Sequence, residues 1–228
     1  MEAIKLTSKN IMFTEPMGSF YSLNIGLIIG KQYNYLIDTG IGSGSVQCIQ
    51  EYLKDDSKPV VVINTHHHWD HVWGNHVFKD SIIVSHRLCR ELLDEYWDVM
   101  IKENTTSVDG YVEKCLPNLV FEEGISFPTD NIEVFFTPGH STDCISIYDR
   151  DDKVLYAGDN IGDTKEVIVP YIDTDIEVMR RTIKKYEGYD FEICISGHNK
   201  PQTRNITTLM ENALESCWER QLSGNYQW

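Results

Sequence analysis

The stretch that decides the fold is Thr65-His66-His67-His68-Trp69-Asp70-His71, which reads H-x-H-x-D-H from its second residue. It comes just after Val60-Val61-Val62-Ile63, a continuous apolar run that is typical of a strand covered on both faces. Imidazole nitrogens and carboxylate oxygens are ligands for zinc and its neighbouring transition metals. Because a strand end followed by a turn can aim several side chains at one point, the stretch predicts a metal site at the end of a buried strand.

Three further loops repeat the same arrangement later in the chain. They are Thr137-Pro138-Gly139-His140-Ser141, Ala157-Gly158-Asp159 and Ser196-Gly197-His198. In each loop an apolar strand is followed by glycine and then by a side chain of a metal-binding type. Glycine lets the backbone approach its neighbours closely where a side chain would clash. The set therefore predicts that His140, Asp159 and His198 join the first motif around metal.

Apolar runs and turn signals predict the remaining elements. Strands are expected at residues 19–29, 33–38, 60–63, 82–84, 132–136, 144–148, 153–157 and 191–196. Helices are expected from the turn at 40–45 to Leu53, and at about 86–101, 174–187 and 204–222. Strands cluster and helices follow, twice over. This order predicts two sheets with helices packed outside them, an α/β sandwich, in one domain over residues 1–228.

Two of these helices carry more specific signals. Thr174-x-x-Glu177 has the spacing of a capping box, which predicts Thr174 as the N-cap of its helix. The helix at 86–101 carries an apolar stripe at helical spacing, formed by Leu88, Leu92, Tyr96 and Met100. Residues 104–131 are the least regular part of the chain, because glycine and proline interrupt any long element.

The net charge and the cysteines limit the possible binding partners and the cellular compartment. The 228 residues include 20 basic and 35 acidic side chains, a formal net charge of -15, which argues against binding to nucleic acid or to an anionic membrane. The longest apolar stretches are too short to span a bilayer, and the first residues lack the pattern of a secretory peptide. The 6 cysteines contain no C-x-x-C pair and indicate reduced thiols. We therefore expect a cytoplasmic protein.

The motifs together resemble those of the metallo-β-lactamase superfamily. That family has H-x-H-x-D-H, P-G-H-S, G-D and G-H in this order, and Asp38-Thr39-Gly40 is similar to its first motif. Within the family, T-H-H-H-W-D-H followed by Gly74-Asn75 is similar to the glyoxalase II subgroup. The resemblance implies an αββα four-layer sandwich with a site for two Zn²⁺ between the sheets. Some relatives use iron or manganese instead.

The resemblance also implies a role for each motif residue. The first metal would be held by His66, His68 and His140, the second by Asp70, His71 and His198, and Asp159 would bridge the two. Asp38 would orient ligands without binding metal. Asp70 would in addition accept or pass a proton, as its counterparts are proposed to do.

The remaining histidines, aromatic residues and loop segments near the motifs are interpreted without the family resemblance. His67 alternates with two candidate ligands, so on extended backbone it should point away from them, and His76 and His86 lie outside any motif. Trp69, Trp73 and Tyr171 are candidates for the substrate pocket. Residues 161–172 are a candidate rim and 97–127 a candidate lid.

The function implied is hydrolysis. Two divalent cations lower the pKa of a bridging water and supply hydroxide at neutral pH, so no serine or cysteine nucleophile is needed. We expect a small-molecule ester, thioester or lactone as substrate. A β-lactamase and a small phosphodiesterase are alternatives, as are a diiron redox protein and a non-catalytic metal-binding module. A homo-oligomer is compatible with the sequence.

Overall fold

Among the residues that the structure describes, the first sheet has seven strands, and its second half is parallel. The computed structural model describes residues 1–18 and 21–224. The strands of this sheet follow chain order in space: β1 Glu2–Lys5, β2 Asn10–Met17, β3 Tyr21–Ile29, β4 Asn34–Ile37, β5 Val60–Ile63, β6 Ile82–His86 and β7 Leu119–Phe121. Strands β1 to β4 pair antiparallel, whereas β4 to β7 pair parallel. The ends of β4 and β5 therefore meet at one edge.

The second sheet, within the described part of the chain, has five strands in the order β12-β11-β10-β9-β8. Its strands are β8 Gly124–Phe127, β9 Ile132–Phe136, β10 Ile145–Asp149, β11 Val154–Gly158 and β12 Ile193–Ser196. All neighbours pair antiparallel except β11 and β12, which are parallel. Strands β9, β11 and β12 consequently run in the same direction, and the loops that follow them leave the sheet at the same edge.

Helices cover the outer faces of both sheets. They are α1 Ser43–Leu53, the single turn α2 Trp69–Val72, α3 Arg87–Asn104, α4 Ile176–Glu187 and α5 Ile206–Leu222. Side chains of α1 pack on the outside of the first sheet, and side chains of α4 and α5 pack on the outside of the second. A third apolar cluster lies between the sheets and draws on both, for example Ile37 and Ile63 from one and Val134 and Tyr156 from the other. This is the αββα sandwich expected from the sequence.

The long apolar elements lie close to where the sequence predicts them. The strands predicted at 60–63 and 132–136 have those bounds, and the others differ by a few residues at their ends. The strand predicted from residue 19 begins at Tyr21 among the described residues, since residues 19–20 lie outside them. Four strands were not predicted: β1, β2, β7 and β8. They are short, carry exposed polar residues or contain proline, so their pattern is weak.

Two of the more specific helix predictions are wrong by about one residue. The N-cap of α4 is Asp175, whose Oδ1 accepts from the backbone N of Val178 at 2.9 Å. Thr174 instead donates its hydroxyl to the carbonyl of Gly139, at 2.9 Å, beside one of the predicted metal loops. The side of α3 that packs into the core is formed by Cys89, Leu93, Trp97 and Met100. No helix in 1–18 or 21–224 has both the length and the apolarity needed to cross a membrane.

The packing between the sheets makes Gly26 of β3 sensitive to substitution. A Cβ at this position would lie 2.4 Å from Cε1 of Tyr156, whose ring is buried and whose hydroxyl donates to Oδ1 of Asn10 at 2.9 Å. We expect Gly26→Ala to lower the free energy of unfolding by about 1–3 kcal/mol, measured by urea denaturation, because the ring must move inside a packed core. Gly188→Ala, at the end of α4 with ordinary helical φ, is the control and should be nearly neutral. Equal effects at the two positions would contradict this account.

Candidate metal centre

The predicted ligands come from loops that leave the ends of strands at one edge of both sheets. Residues 65–71 follow β5, whereas the loops that carry His140, Asp159 and His198 follow β9, β11 and β12. Glycine is needed in two of them. Gly158 has φ +54°, and a Cβ on Gly197 would lie 2.1 Å from Oδ1 of Asp159. These close approaches let the loops of the second sheet converge with the first motif.

The structure brings all the predicted ligands together in two adjoining groups. In each group the potential ligand atoms lie within 4.8 Å of one another: His66, His68, His140 and Asp159 form one, and Asp70, His71 and His198 form the other. Nδ1 of His68 and Nε2 of His140 are 3.1 Å apart. His67 joins neither group among the described residues. The resemblance implies the same two sets of histidines, with Asp159 shared between the sets rather than part of the first one.

Asp159 lies between the two groups. Its Oδ2 is 3.2 Å from Nε2 of both His71 and His198, and 3.6 Å and 3.9 Å from Nε2 of His66 and His140. One carboxylate oxygen therefore faces histidines of both groups.

Hydrogen bonds at the outer ring nitrogens of the histidines determine which nitrogen carries the proton. Nδ1 of His71 donates to Oδ2 of Asp38 at 2.8 Å, and Nδ1 of His140 and His198 donate to the carbonyls of Tyr171 and Ser22, each at 2.9 Å. Carbonyl and carboxylate oxygens only accept, so Nδ1 carries a proton and Nε2 faces the centre, where it offers a lone pair to a cation once it holds no proton itself. This is the tautomer that a metal ligand requires.

His66 is oriented by Asp38 in the same way, but through the hydroxyl of Thr65. Its Nδ1 lies 3.1 Å from the hydroxyl oxygen of Thr65, and that hydroxyl donates to Oδ2 of Asp38 at 2.7 Å. The hydroxyl has a single hydrogen, already used toward Asp38, so its oxygen accepts from His66. Asp38 thus contacts His71 directly and His66 through the hydroxyl of Thr65.

The buried donors fit a divalent cation. Nε2 of His66, Nε2 of His71 and Oδ1 of Asp159 are buried and have no hydrogen-bond partner within the described part of the chain. Leaving buried polar atoms unpaired is costly, whereas a cation at the centre would satisfy these lone pairs. Imidazole and carboxylate donors suit zinc, and iron and manganese accept them as well. The site therefore has the chemistry of a divalent-metal centre.

The protonation of the centre follows from burial and from mutual charge. Burial, with the charge of His71, holds the pKa of His66 well below its usual value, and burial with His140 lowers the pKa of His68 to about 3. Burial opposes ionisation of Asp70, but His71 and His198 lower the pKa of this carboxyl to about 2. Burial also opposes a charge on His71 and His198, yet Asp159 raises the pKa of both. Protons on His71 and His198 therefore balance the negative charge of the carboxylates, and a bound cation would displace these protons.

A cleft of about 650 Å³ opens beside the donors. Trp69 and Tyr171, both candidates for the substrate pocket, line it, and the candidate rim at 161–172 contributes to its wall. Trp73 does not: its side chain is 0% exposed and packs in the core with Leu93 and Trp97. Trp73 follows the single turn α2, and this turn directs its ring inward rather than toward the cleft.

The segment 97–127 does not form one separate lid. Its first part, to Asn104, is the end of α3, and Leu119–Phe121 pairs with β6 as β7. Between them, the carbonyls of Asp109 and Tyr111 accept from the backbone N of Gly44 and Ser43 at the start of α1. Only the part on α3 reaches the cleft.

The sequence did not identify the α3 side of the cleft or the place of His67. Leu92, Tyr96 and Val99 line the cleft from α3, on a face beside the buried one, and their spacing of four and three residues was the available signal. His67 belongs to neither donor group but lines the cleft, and its Nδ1 lies 3.0 Å from Oδ1 of the buried Asp143. His76 and His86 are structural: Nδ1 of His76 contacts the carbonyl of Trp73, and His86 caps α3.

Histidine and carboxylate donors between two helix-covered sheets define a metal-binding protein of the αββα class. The model of the metallo-beta-lactamase superfamily matches residues 19–198, and the chain belongs to this superfamily.

The similar curated proteins are hydrolases by name. The chain is 29% identical over 167 residues to the human acyl-coenzyme A thioesterase MBLAC2, a match that covers 61% of this chain and 58% of that protein. It is 24% identical over 136 residues to the hydroxyacylglutathione hydrolase of Crocosphaera subtropica, covering 55% of this chain and 44% of that protein. The chain therefore spans less than two thirds of each relative.

Solved structures agree on the fold. TMB-1 superposes with a TM-score of 0.75 at 16% identity and covers 94% of this chain and 97% of that one. The metallo-beta-lactamase of Hirschia baltica has a TM-score of 0.72 at 20% identity, over 93% and 97% of the two chains. At such identities the likeness concerns the fold alone.

Asp38 offers a test of how the ligands are oriented. We expect Asp38→Asn to weaken metal binding about 10- to 100-fold, because an amide NH₂ facing His71 forces the proton onto the inward nitrogen. Metal affinity would be measured by competition with a chromogenic chelator, and folding by circular dichroism.

Asp130→Asn is the matched control for this substitution. Asp130 also accepts several hydrogen bonds, including that from the hydroxyl of Tyr35 at 2.7 Å, but it precedes β9 at the opposite end of the sheets. Its substitution should change stability and leave metal affinity unaltered. Metal loss of equal size in both variants would contradict a specific orienting role for Asp38.

Proposed function

We propose that this protein is a dinuclear zinc-dependent hydrolase that cleaves thioesters, within the wider class of small esters and lactones. The observation that carries the proposal is the position of Asp159, whose Oδ2 faces histidines of both donor groups. The names of the relatives support a thioester as the bond that is cleaved: one is an acyl-coenzyme A thioesterase and another a hydroxyacylglutathione hydrolase. Iron and manganese remain alternatives to zinc because the donor set accepts them.

The proposed division of labour follows the two donor groups. A cation pair bound here would polarise the carbonyl of the substrate and lower the pKa of a water molecule. His66, His68 and His140 would hold one cation, Asp70, His71 and His198 the other, with Asp159 shared. Asp70 also lines the cleft, and its Oδ2 is 3.3 Å from Nε2 of His198, so its carboxylate is the proposed proton acceptor. Trp69 and Tyr171 would shape the space for the substrate.

The cleft argues against a phosphodiester substrate. None of the described residues that line it is lysine or arginine, and besides the proposed ligands Asp70 and Asp159 three are acidic: Glu103, Asp163 and Asp173. A phosphodiester carries a negative charge, which these carboxylates would repel. A thioester linkage is uncharged and meets no such cost.

The proposal is tested by metal analysis together with a substrate panel. Purified protein reconstituted with Zn²⁺ should hold two metal ions per chain by plasma mass spectrometry. It should hydrolyse acyl-coenzyme A thioesters with a higher kcat/KM than lactones, nitrocefin or bis-p-nitrophenyl phosphate. A preference for nitrocefin or the phosphodiester would replace the proposal with a β-lactamase or a phosphodiesterase. Iron with redox activity, or full metal loading without hydrolysis, would indicate a diiron redox protein or a metal-binding module.

Substitution of the neighbouring residues His67 and His68 distinguishes a metal ligand from a histidine that only contacts the protein. We expect His68→Ala to lose at least one of the two metal ions and most of the activity, because removing a ligand opens the coordination of the metal. His67→Ala should retain both metal ions, since His67 contacts Asp143 and belongs to neither donor group. Metal content of the two purified variants is the measurement. Equal losses would mean that the register of ligands along residues 66–71 is wrong.

A further inference from the structure

Helix α3 presents apolar side chains to the cleft that its core packing does not need. Leu93, Trp97 and Met100 already pack with Val72 and Trp73 in the core. On the neighbouring face Leu92 is half-buried, Tyr96 is 42% exposed and Val99 is 48% exposed, and all three line the cleft. Exposed apolar side chains that share a cleft are a signal of ligand binding.

This apolar face is continuous with the donor groups. The ring of Tyr96 lies 6.3 Å from that of His67, and the ring of His67 lies 4.7 Å from that of the predicted ligand His68. Trp69 joins the same wall, and Val167 and Pro170 line the cleft as well. A substrate whose reacting carbonyl lies at the donors can therefore extend one end along α3.

The charge of the cleft restricts what that end can be. The carboxylates of Glu103, Asp163 and Asp173 line the cleft, and no lysine or arginine is among the described residues there. An anionic group would be repelled, and a polar one would leave the surfaces of Tyr96 and Val99 in water. An uncharged hydrocarbon chain gains by covering these surfaces.

A second groove gives the other end of the substrate a different setting. It shares Tyr21, Asp163, Thr164 and His198 with the cleft, but no described residue of α3 lines it. Its lining includes Lys165 and Lys200, the cationic side chains that the cleft lacks. The two spaces thus diverge from the donors, one with an apolar wall on α3 and one bearing lysines.

We propose that the face of α3 formed by Leu92, Tyr96 and Val99 binds an apolar acyl chain of the substrate, with the thiol-bearing part directed to the lysine groove. This inference rests on the proposed thioester hydrolysis and names its substrate class: thioesters of hydrocarbon acids several carbons long, rather than of short or acidic acyl groups. The acyl carbonyl would lie at the donors and the chain along α3.

Binding of non-hydrolysable thioethers tests the inference without turnover. S-alkyl-coenzyme A compounds from methyl to octyl would be titrated into the zinc-loaded protein, with Kd measured by calorimetry. We expect Kd to fall about threefold for each added methylene, because each one leaves water for the wall of α3. A Kd that does not change from methyl to octyl would overturn the inference.

Val99→Ser locates the effect on the helix. Val99 is about half exposed, so the variant should fold, and it should weaken S-octyl binding about fivefold while leaving S-methyl binding unchanged. Val120→Ser is the matched control, because Val120 is 40% exposed but lies on β7 outside the cleft. Equal Kd values for S-octyl-coenzyme A in the two variants would assign the chain to another surface.

Hydrolysis assays distinguish failure of this inference from failure of the proposed function. Cleavage of acetyl- and octanoyl-coenzyme A with equal kcat/KM, with no gain in thioether binding, would leave the thioesterase standing and remove the acyl site. A gain in binding with chain length, reversed in Val99→Ser, but no cleavage of any thioester would leave the apolar site standing and remove the thioesterase.

Discussion

The carboxylate of Asp38 is the contact on which the centre depends. It accepts from the backbone N and the hydroxyl of Thr65, each at 2.7 Å, and from Nδ1 of His71 at 2.8 Å. To reach them its backbone adopts φ +64°, a conformation that costs a residue other than glycine of the order of 1–3 kcal/mol. That cost is accepted because one side chain, at the end of β4, sets the inward-facing nitrogen of His71 and, through Thr65, of His66. Orientation of the ligands is thus built into the joint between two parallel strands.

The centre also depends on the packing of one sheet against the other. Residues 66–71 extend from the first sheet, whereas the second supplies His140, Asp159 and His198, so neither sheet holds a complete donor group. Backbone hydrogen bonds join the two at this edge, from Ile145 to Thr65 at 2.9 Å and from Asn24 to Gly197 at 2.7 Å. Metal binding and the association of the sheets are therefore coupled, and a cation would add to the stability of the sandwich.

The sequence was sufficient for the donors because each lies in a short motif after an apolar strand. The predictions of β5, of β9 and of the paired sheets rest on continuous apolar runs that only a buried strand explains. It was insufficient where the signal is spread across space. Strands β1, β2, β7 and β8 depend on partners for their stability rather than on their own pattern. Trp73 was a candidate for either the cleft or the core and lies in the core, because the turn that directs its ring is set by tertiary packing. The α3 wall was missed since an apolar residue facing a cleft resembles one facing a core.

The acidic lining of the cleft has a consequence for the end of a catalytic cycle. Hydrolysis of an acyl thioester yields a carboxylic acid, which ionises at neutral pH. This carboxylate product would then lie among the carboxylates of Glu103, Asp163 and Asp173, with no lysine or arginine in the described lining to retain it. The uncharged acyl group enters without penalty, whereas the carboxylate formed from it is repelled, so the same side chains would admit the one and hasten the departure of the other.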